Sequence, residues 1–220
     1  MAYFLLSGGK DEADGGGGAA PEVSTETPEF AFEIRKVESI PTVPGAKPDK
    51  AGAQPVAEAA TEAMNAYYRA AFLDPNNWRE DDYASAWSAF DKAALADSKD
   101  QADVITLGGD YTDAESVMPK PSTNSVKILL GSNGKPDTVV VQVTFGALVT
   151  DPSGEQTTVS NLGQYFLRPE GGKDWKIYAF RIDRKDEPGD QVVGSPSPEP
   201  KKKDKPDDGQ GASPAAEETP

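Results

Sequence analysis

Thr138 to Val149 keeps a period of two without a break, placing Val139, Val141, Val143, Phe145, Ala147 and Val149 on one face of an extended chain. A run of that length predicts a strand with one buried face, and its neighbours extend the pattern. Before it stands Ser125–Leu130, joined through Asn133-Gly134, whose residues tolerate the positive φ of a type I′ hairpin turn. After it come the turn Asp151–Glu155 (DPSGE), a strand from Gln156 to Arg168 in which Gly163 marks a bulge or bend, and a turn at 171–174. Trp175–Arg184 closes the series, with Trp175, Ile177 and Ala179 on one face and Tyr178, Phe180 and Ile182 on the other. Three successive hairpins predict a four-stranded antiparallel meander.

The residues before this run have helical spacing. Val56, Ala60, Ala63, Tyr67 and Ala71 form one stripe, with Met64, Tyr68 and Phe72 beside it. Pro55 suits a first helical position, and Asp74-Pro75 ends the helix. A second helix is predicted from Asp81 or Asp82 through Tyr83, Ala86, Trp87, Phe90 and Ala94, and a short third turn between Asp100 and Leu107. Further upstream, Phe30–Glu38 alternates as a strand, with Phe30, Phe32, Ile34 and Lys36 on one side and Ala31, Glu33, Arg35 and Val37 on the other. The expected class is α+β: two or three N-terminal helices packed on a curved four-stranded antiparallel meander, with one extra N-terminal strand.

Composition sets the limits of that domain. The 21 glycines and 19 prolines gather where apolar side chains are scarce, so residues 1–29 read as a disordered acidic spacer, 30–184 as the folded domain and 185–220 as a disordered Pro/Lys/Asp/Glu-rich tail. With 22 Lys and Arg against 37 Asp and Glu the net charge is −15, which repels phosphate backbones and argues against nucleic acid as a partner. The lysine cluster 201–205 (KKKDK) is followed at once by acids and reads as a solvated tail. The apolar start Tyr3–Leu6 is too short to span a membrane or to direct secretion, and reads either as the remnant of an upstream anchor or as an ordinary frayed terminus.

Cysteine and histidine are both absent. Disulfides, thiolate nucleophiles, imidazole bases, Ser-His-Asp triads and His or Cys metal sites are therefore excluded. Asp97, Asp100 and Asp103 recur at three-residue spacing but lack the glycine and terminal glutamate of an EF-hand loop, and Gly15–Gly18 has no strand before it or helix after it to make a phosphate-binding turn. No cofactor and no metal are expected.

The order of helices then strands, with AYYRAAFLDP (66–75), Trp78, WSAFDKAAL (87–95) and DWKIYAFRID (174–183), resembles the NTF2-like superfamily over residues 54–184. Within it the chain is most similar to extracytoplasmic domains of actinobacterial membrane proteins, including Mce-associated proteins and scaffold subunits of conjugation machines. That resemblance implies a cell-envelope location, tethered to the membrane through a segment upstream of Tyr3. The superfamily also holds pocket enzymes of the ketosteroid-isomerase type, whose chemistry needs a carboxylate base and a tyrosine or acid donor; fold by itself licenses none of it.

Two functional expectations follow. The first is a non-catalytic domain that binds a protein partner or copies of itself, because the inward face of Val139–Val149 carries no acid and Asp137, Asp151, Glu155, Glu170 and Asp174 all fall at turns. The second is a carrier or pocket enzyme for a small hydrophobic ligand, its cavity lined by Tyr67, Tyr68, Trp87, Phe90, Phe145 and Tyr165. Tyr67 and Tyr68 are its candidate phenolic donors. No residue is assigned a catalytic role.

Overall fold

The structure, a computed structural model, describes residues 26–44, 50–171 and 174–189. In chain order it contains strand β1 (Glu33–Pro41), helix α1 (Lys50–Tyr68) running into a π-helical turn at Arg69–Leu73, the short helices α2 (Pro75–Trp78), α3 (Ala84–Trp87), α4 (Leu95–Asp100) and α5 (Ala102–Ile105), a 3-10 turn at Gly109–Tyr111, and strands β2 (Ser116–Pro119), β3 (Thr123–Leu130), β4 (Pro136–Thr150), β5 (Gln156–Glu170) and β6 (Asp174–Pro188). This is a mixed α+β fold with one six-stranded sheet. The tails expected at 1–29 and 185–220 lie mostly outside the described residues, and β6 continues four residues past Arg184.

The sheet order is β1-β3-β4-β5-β6, with β2 pairing β4 beyond the end of β3. Strands β3 to β6 pair antiparallel in succession, whereas β1 lies parallel to β3. Strand β2 is an addition to the expected elements: four residues with Met118 pointing outward carry no alternation to read. The β3–β4 connection is also not a two-residue type I′ turn. It is a loop over 131–135 in which only Gly134 takes positive φ, and Asn133 accepts from the Lys135 amide through its side chain. The β4–β5 turn matches expectation: Gly154 has φ +84° and Asp151 Oδ1 accepts from the amides of Ser153 and Glu155.

The inward row of β4 is buried along its whole length, as its alternation predicts. Two bulges change the parity of its neighbours. In β1 an extra residue between Ile34 and Lys36 turns Val37 toward the core beside Val126 and sends Lys36 and Ile40 outward, reversing the expected sides. In β6 Tyr178 is the extra residue between partners Ala179 and Ile177, so Trp175, Ile177, Phe180 and Ile182 share the inner face that sequence alternation had divided. Gly163 is not the bulge, because pairing runs through it in register. It marks a close approach: a Cβ there would run into the Arg181 carbonyl and stand 2.8 Å from Ile182 Cα.

Helix α1 packs over this inner face through Ala57, Ala60, Met64, Tyr67 and Tyr68, and the π-helical turn brings the consecutive residues Ala71, Phe72 and Leu73 all into the core. Pro55 lies inside α1, which begins five residues earlier. Asp74 closes the helical run and caps α2 by accepting from the Asn76 amide at 3.0 Å. The single second helix expected over Tyr83–Ala94 is broken instead. Asp82 Oδ1 accepts from the Ala84 amide at the start of α3, and the chain then leaves helical geometry to give Phe90 a parallel bridge to Ile177, with Asp91 N donating to Ile177 O (3.0 Å) and Ile177 N donating to Ala89 O (2.9 Å). Those ladder bonds satisfy the open edge of β6, a partner 87 residues away that local periodicity cannot reveal.

Candidate functional site

Helix α1 sets Tyr67 and Tyr68 side by side against the inner strands, and β5 presents Tyr165 between them. All six candidate residues join one aromatic cluster. Trp87 lies 6.1 Å from Phe90, Phe90 5.4 Å from Tyr67, Tyr67 5.6 Å from Tyr165, Tyr165 6.0 Å from Tyr68 and Tyr68 4.7 Å from Phe145, between ring centroids. Five of them are buried and Trp87 partly so. Most contacts are edge-to-face or tilted, the geometry that adds about 0.5–1.5 kcal/mol per pair beyond burial.

The cluster is larger than the sequence reading made it. Phe30 and Phe32 meet Phe145 and Tyr68 at 5.6 and 5.0 Å, and Phe180 meets Phe90 at 6.0 Å. The alternation of Phe30 and Phe32 was visible, but their side of the sheet was not. Phe180 was hidden by the bulge at Tyr178.

The phenols are satisfied inside. Tyr67 donates to the Ile105 carbonyl, and Tyr68 donates to the Tyr165 hydroxyl at 3.2 Å. Burial pushes Tyr67 and Tyr68 well above the ordinary phenol range, and pushes Tyr165 up to about 12 against the opposing effect of hydrogen bonds from the other two. Each is thus held neutral and able to donate.

A proton-abstracting partner for these phenols needs a buried carboxylate. Among the described residues the buried acid is Asp91: Oδ1 accepts from the amides of Ala93 and Ala94 at 2.9 Å, while Oδ2 makes no hydrogen bond but lies 2.6 Å from Arg168 Nη2 as an ion pair. It starts a helical turn and anchors it to β5. Two inward amides flank the apolar row of β4: Asn124 donates to Thr61 Oγ1 and Asn161 to the Val104 carbonyl, both at 3.0 Å. Sequence reading missed both, since an asparagine in a strand gives no local sign that its amide reaches a helix. Asp97, Asp100 and Asp103 are exposed, and among the described residues no group of three His, Cys, Asp or Glu could hold a metal ion.

The opposite face of the sheet is half-open. Leu162 is 53% exposed at the middle of β5, while Phe166 and Tyr178 stand 6.3 Å apart and Arg168 Cζ lies 5.5 Å over the Tyr178 ring. Among the described residues no helix is long and apolar enough to cross a membrane.

The fold and this arrangement define an α+β domain with an aromatic core beneath one sheet face and a mixed aromatic and polar surface on the other. Comparison of the chain with protein-family models, with curated proteins and with solved structures finds no match.

Proposed function

We propose that this chain is a non-catalytic domain that works by binding, and that the outer face of its sheet engages a protein partner or a second copy of itself. The observation that carries this reading is Leu162, exposed on the outer face of β5, with the Phe166–Tyr178 pair and Arg168 farther along the same face of the sheet. Aromatic and arginine side chains of this kind supply the anchors of protein interfaces, and an exposed leucine among them favours burial by a partner. The satisfied phenols and the engaged Asp91 support the absence of a catalytic role. The NTF2-like resemblance and a membrane-tethered place in the cell envelope belong to the same proposal.

Light scattering of the full chain over a range of concentrations, together with site-specific cross-linking from position 162 in cells, tests it. Self-assembly raises the mass with concentration and Leu162→Arg abolishes the rise; a protein partner yields a discrete cross-linked adduct that Leu162→Arg removes. A constant monomer mass with no adduct would sink the reading.

The alternative is a carrier or pocket enzyme for a small hydrophobic ligand, favoured by the three neutral phenols in one apolar cluster. Stoichiometric uptake of an apolar fluorophore that is lost in Tyr165→Phe would support it.

A further inference from the structure

A second surface lies apart from the Leu162 face. Residues 26–29 run beside β2 and enclose with it a cleft of about 270 Å³, floored by Leu73, Trp78 and Val117 and rimmed by Met118, which is 58% exposed. Glu26, Glu29 and Glu115 also line it; among the described residues no lysine or arginine lines it, although Arg79 lies 4.8 Å over the Trp78 ring and donates to the Glu115 carbonyl. None of these three glutamates takes part in an ion pair among the described residues.

We propose that this cleft docks an extended basic segment of a partner protein, which lays one lysine or arginine side chain across the apolar floor and sets its charged head at the glutamate-bearing rim.

Chemistry favours a long basic side chain: its methylene stem covers apolar surface while its head stays at a polar rim. The cleft also borders an incompletely paired edge. β2 has β4 as its strand partner, and among the described residues no backbone hydrogen bond joins 26–29 to 116–119. An extended peptide can use such an edge for main-chain hydrogen bonds while its side chains enter the cleft. A metal ion is not the occupant, since no three of the described acids stand close enough to hold one. A second copy of this chain is disfavoured at this cleft, because the acidic lining calls for a basic segment and the chain as a whole carries −15.

The test titrates the full chain with an octapeptide alternating arginine and valine, and with its glutamate counterpart, following backbone amide shifts by NMR. The arginine peptide is expected to shift residues 26–29 and 115–118, with affinity falling as salt rises; the glutamate peptide leaves them unmoved. Glu29→Gln and Glu115→Gln each weaken binding about threefold, the scale of a rim charge. Glu29 is exposed and Glu115 half-buried, so the fold of each variant is checked by its amide spectrum, and Met118→Lys blocks the cleft outright. No binding, equal binding of the glutamate peptide, shifts confined to the Leu162 face, or an affinity indifferent to both glutamine variants would each overturn the proposal. Because Leu162 is untouched in these variants, failure here is separable from failure of the sheet-face reading.

Discussion

The hydroxyl of Tyr68 on α1 donates to the hydroxyl of Tyr165 on β5 at 3.2 Å, across 97 residues of sequence and inside an apolar cluster. This bond ties the helical layer to the centre of the sheet. Its removal from one side strands a buried polar group, whereas removal of both partners does not. Tyr68→Phe and Tyr165→Phe should each destabilise by about 1–2 kcal/mol, and the double variant by clearly less than their sum. Urea unfolding of the four proteins checks this. Additive losses would mean that the two hydroxyls do not act as a pair.

Arg184 joins β6 to the segment after α4. Its Nη1 donates to the carbonyls of Asp103 and Thr106, its Nη2 to the Leu107 carbonyl at 3.0 Å, and its Nε to Asp186 Oδ1 at 2.9 Å, with Tyr111 donating to Asp186 Oδ2 at 2.8 Å. The guanidinium thus ties β6 to one carbonyl of α5 and to two that follow it. Arg184→Ala should cost roughly 2–4 kcal/mol, and Arg184→Lys should recover less than half, because one ammonium cannot copy the fork. Hydrogen exchange should show residues 102–111 losing protection first.

Gly163 sits at a close approach of β5 and β6. Any Cβ there meets the Arg181 carbonyl and lies 2.7 Å from Ile182 Cδ1. Gly163→Ala should therefore destabilise by about 1–3 kcal/mol despite the strand's general preference for a side chain. A thermal melt unchanged from the parent protein would refute the close approach.

Alkaline pH should unfold the domain through its phenols. In the unfolded chain tyrosine titrates near 10, while burial raises Tyr67 and Tyr68 well above that and Tyr165 to about 12. The native state then holds protons that the unfolded state has released. Stability is full below about pH 10 and falls as pH rises toward 12, by on the order of 3 kcal/mol for Tyr165. Tyrosinate absorbance should rise in step with loss of near-ultraviolet circular dichroism, and the midpoint should move upward in Tyr165→Phe relative to its own stability at neutral pH.

Much of the architecture is written in local pattern. Unbroken alternation from Val139 to Val149 determined a strand with one buried face, because only a period of two keeps six apolar side chains together. Helical spacing around Tyr67 and Tyr68, ended by Asp74-Pro75, determined an amphipathic helix whose aromatic side had to be covered. The missing histidine and cysteine determined which chemistries are closed to the chain.

Tertiary structure decided the rest wherever a distant partner outweighed the local signal. The helix expected through Phe90 gave way because Ala89 and Asp91 supply hydrogen bonds to Ile177 on an otherwise open edge. One extra residue near Arg35 and another at Tyr178 reversed the faces of β1 and β6, since in a strand every later side chain inherits the shift. The cleft beside β2 arises only when residues 26–29 are brought next to 115–118, and no periodicity along the chain encodes that meeting.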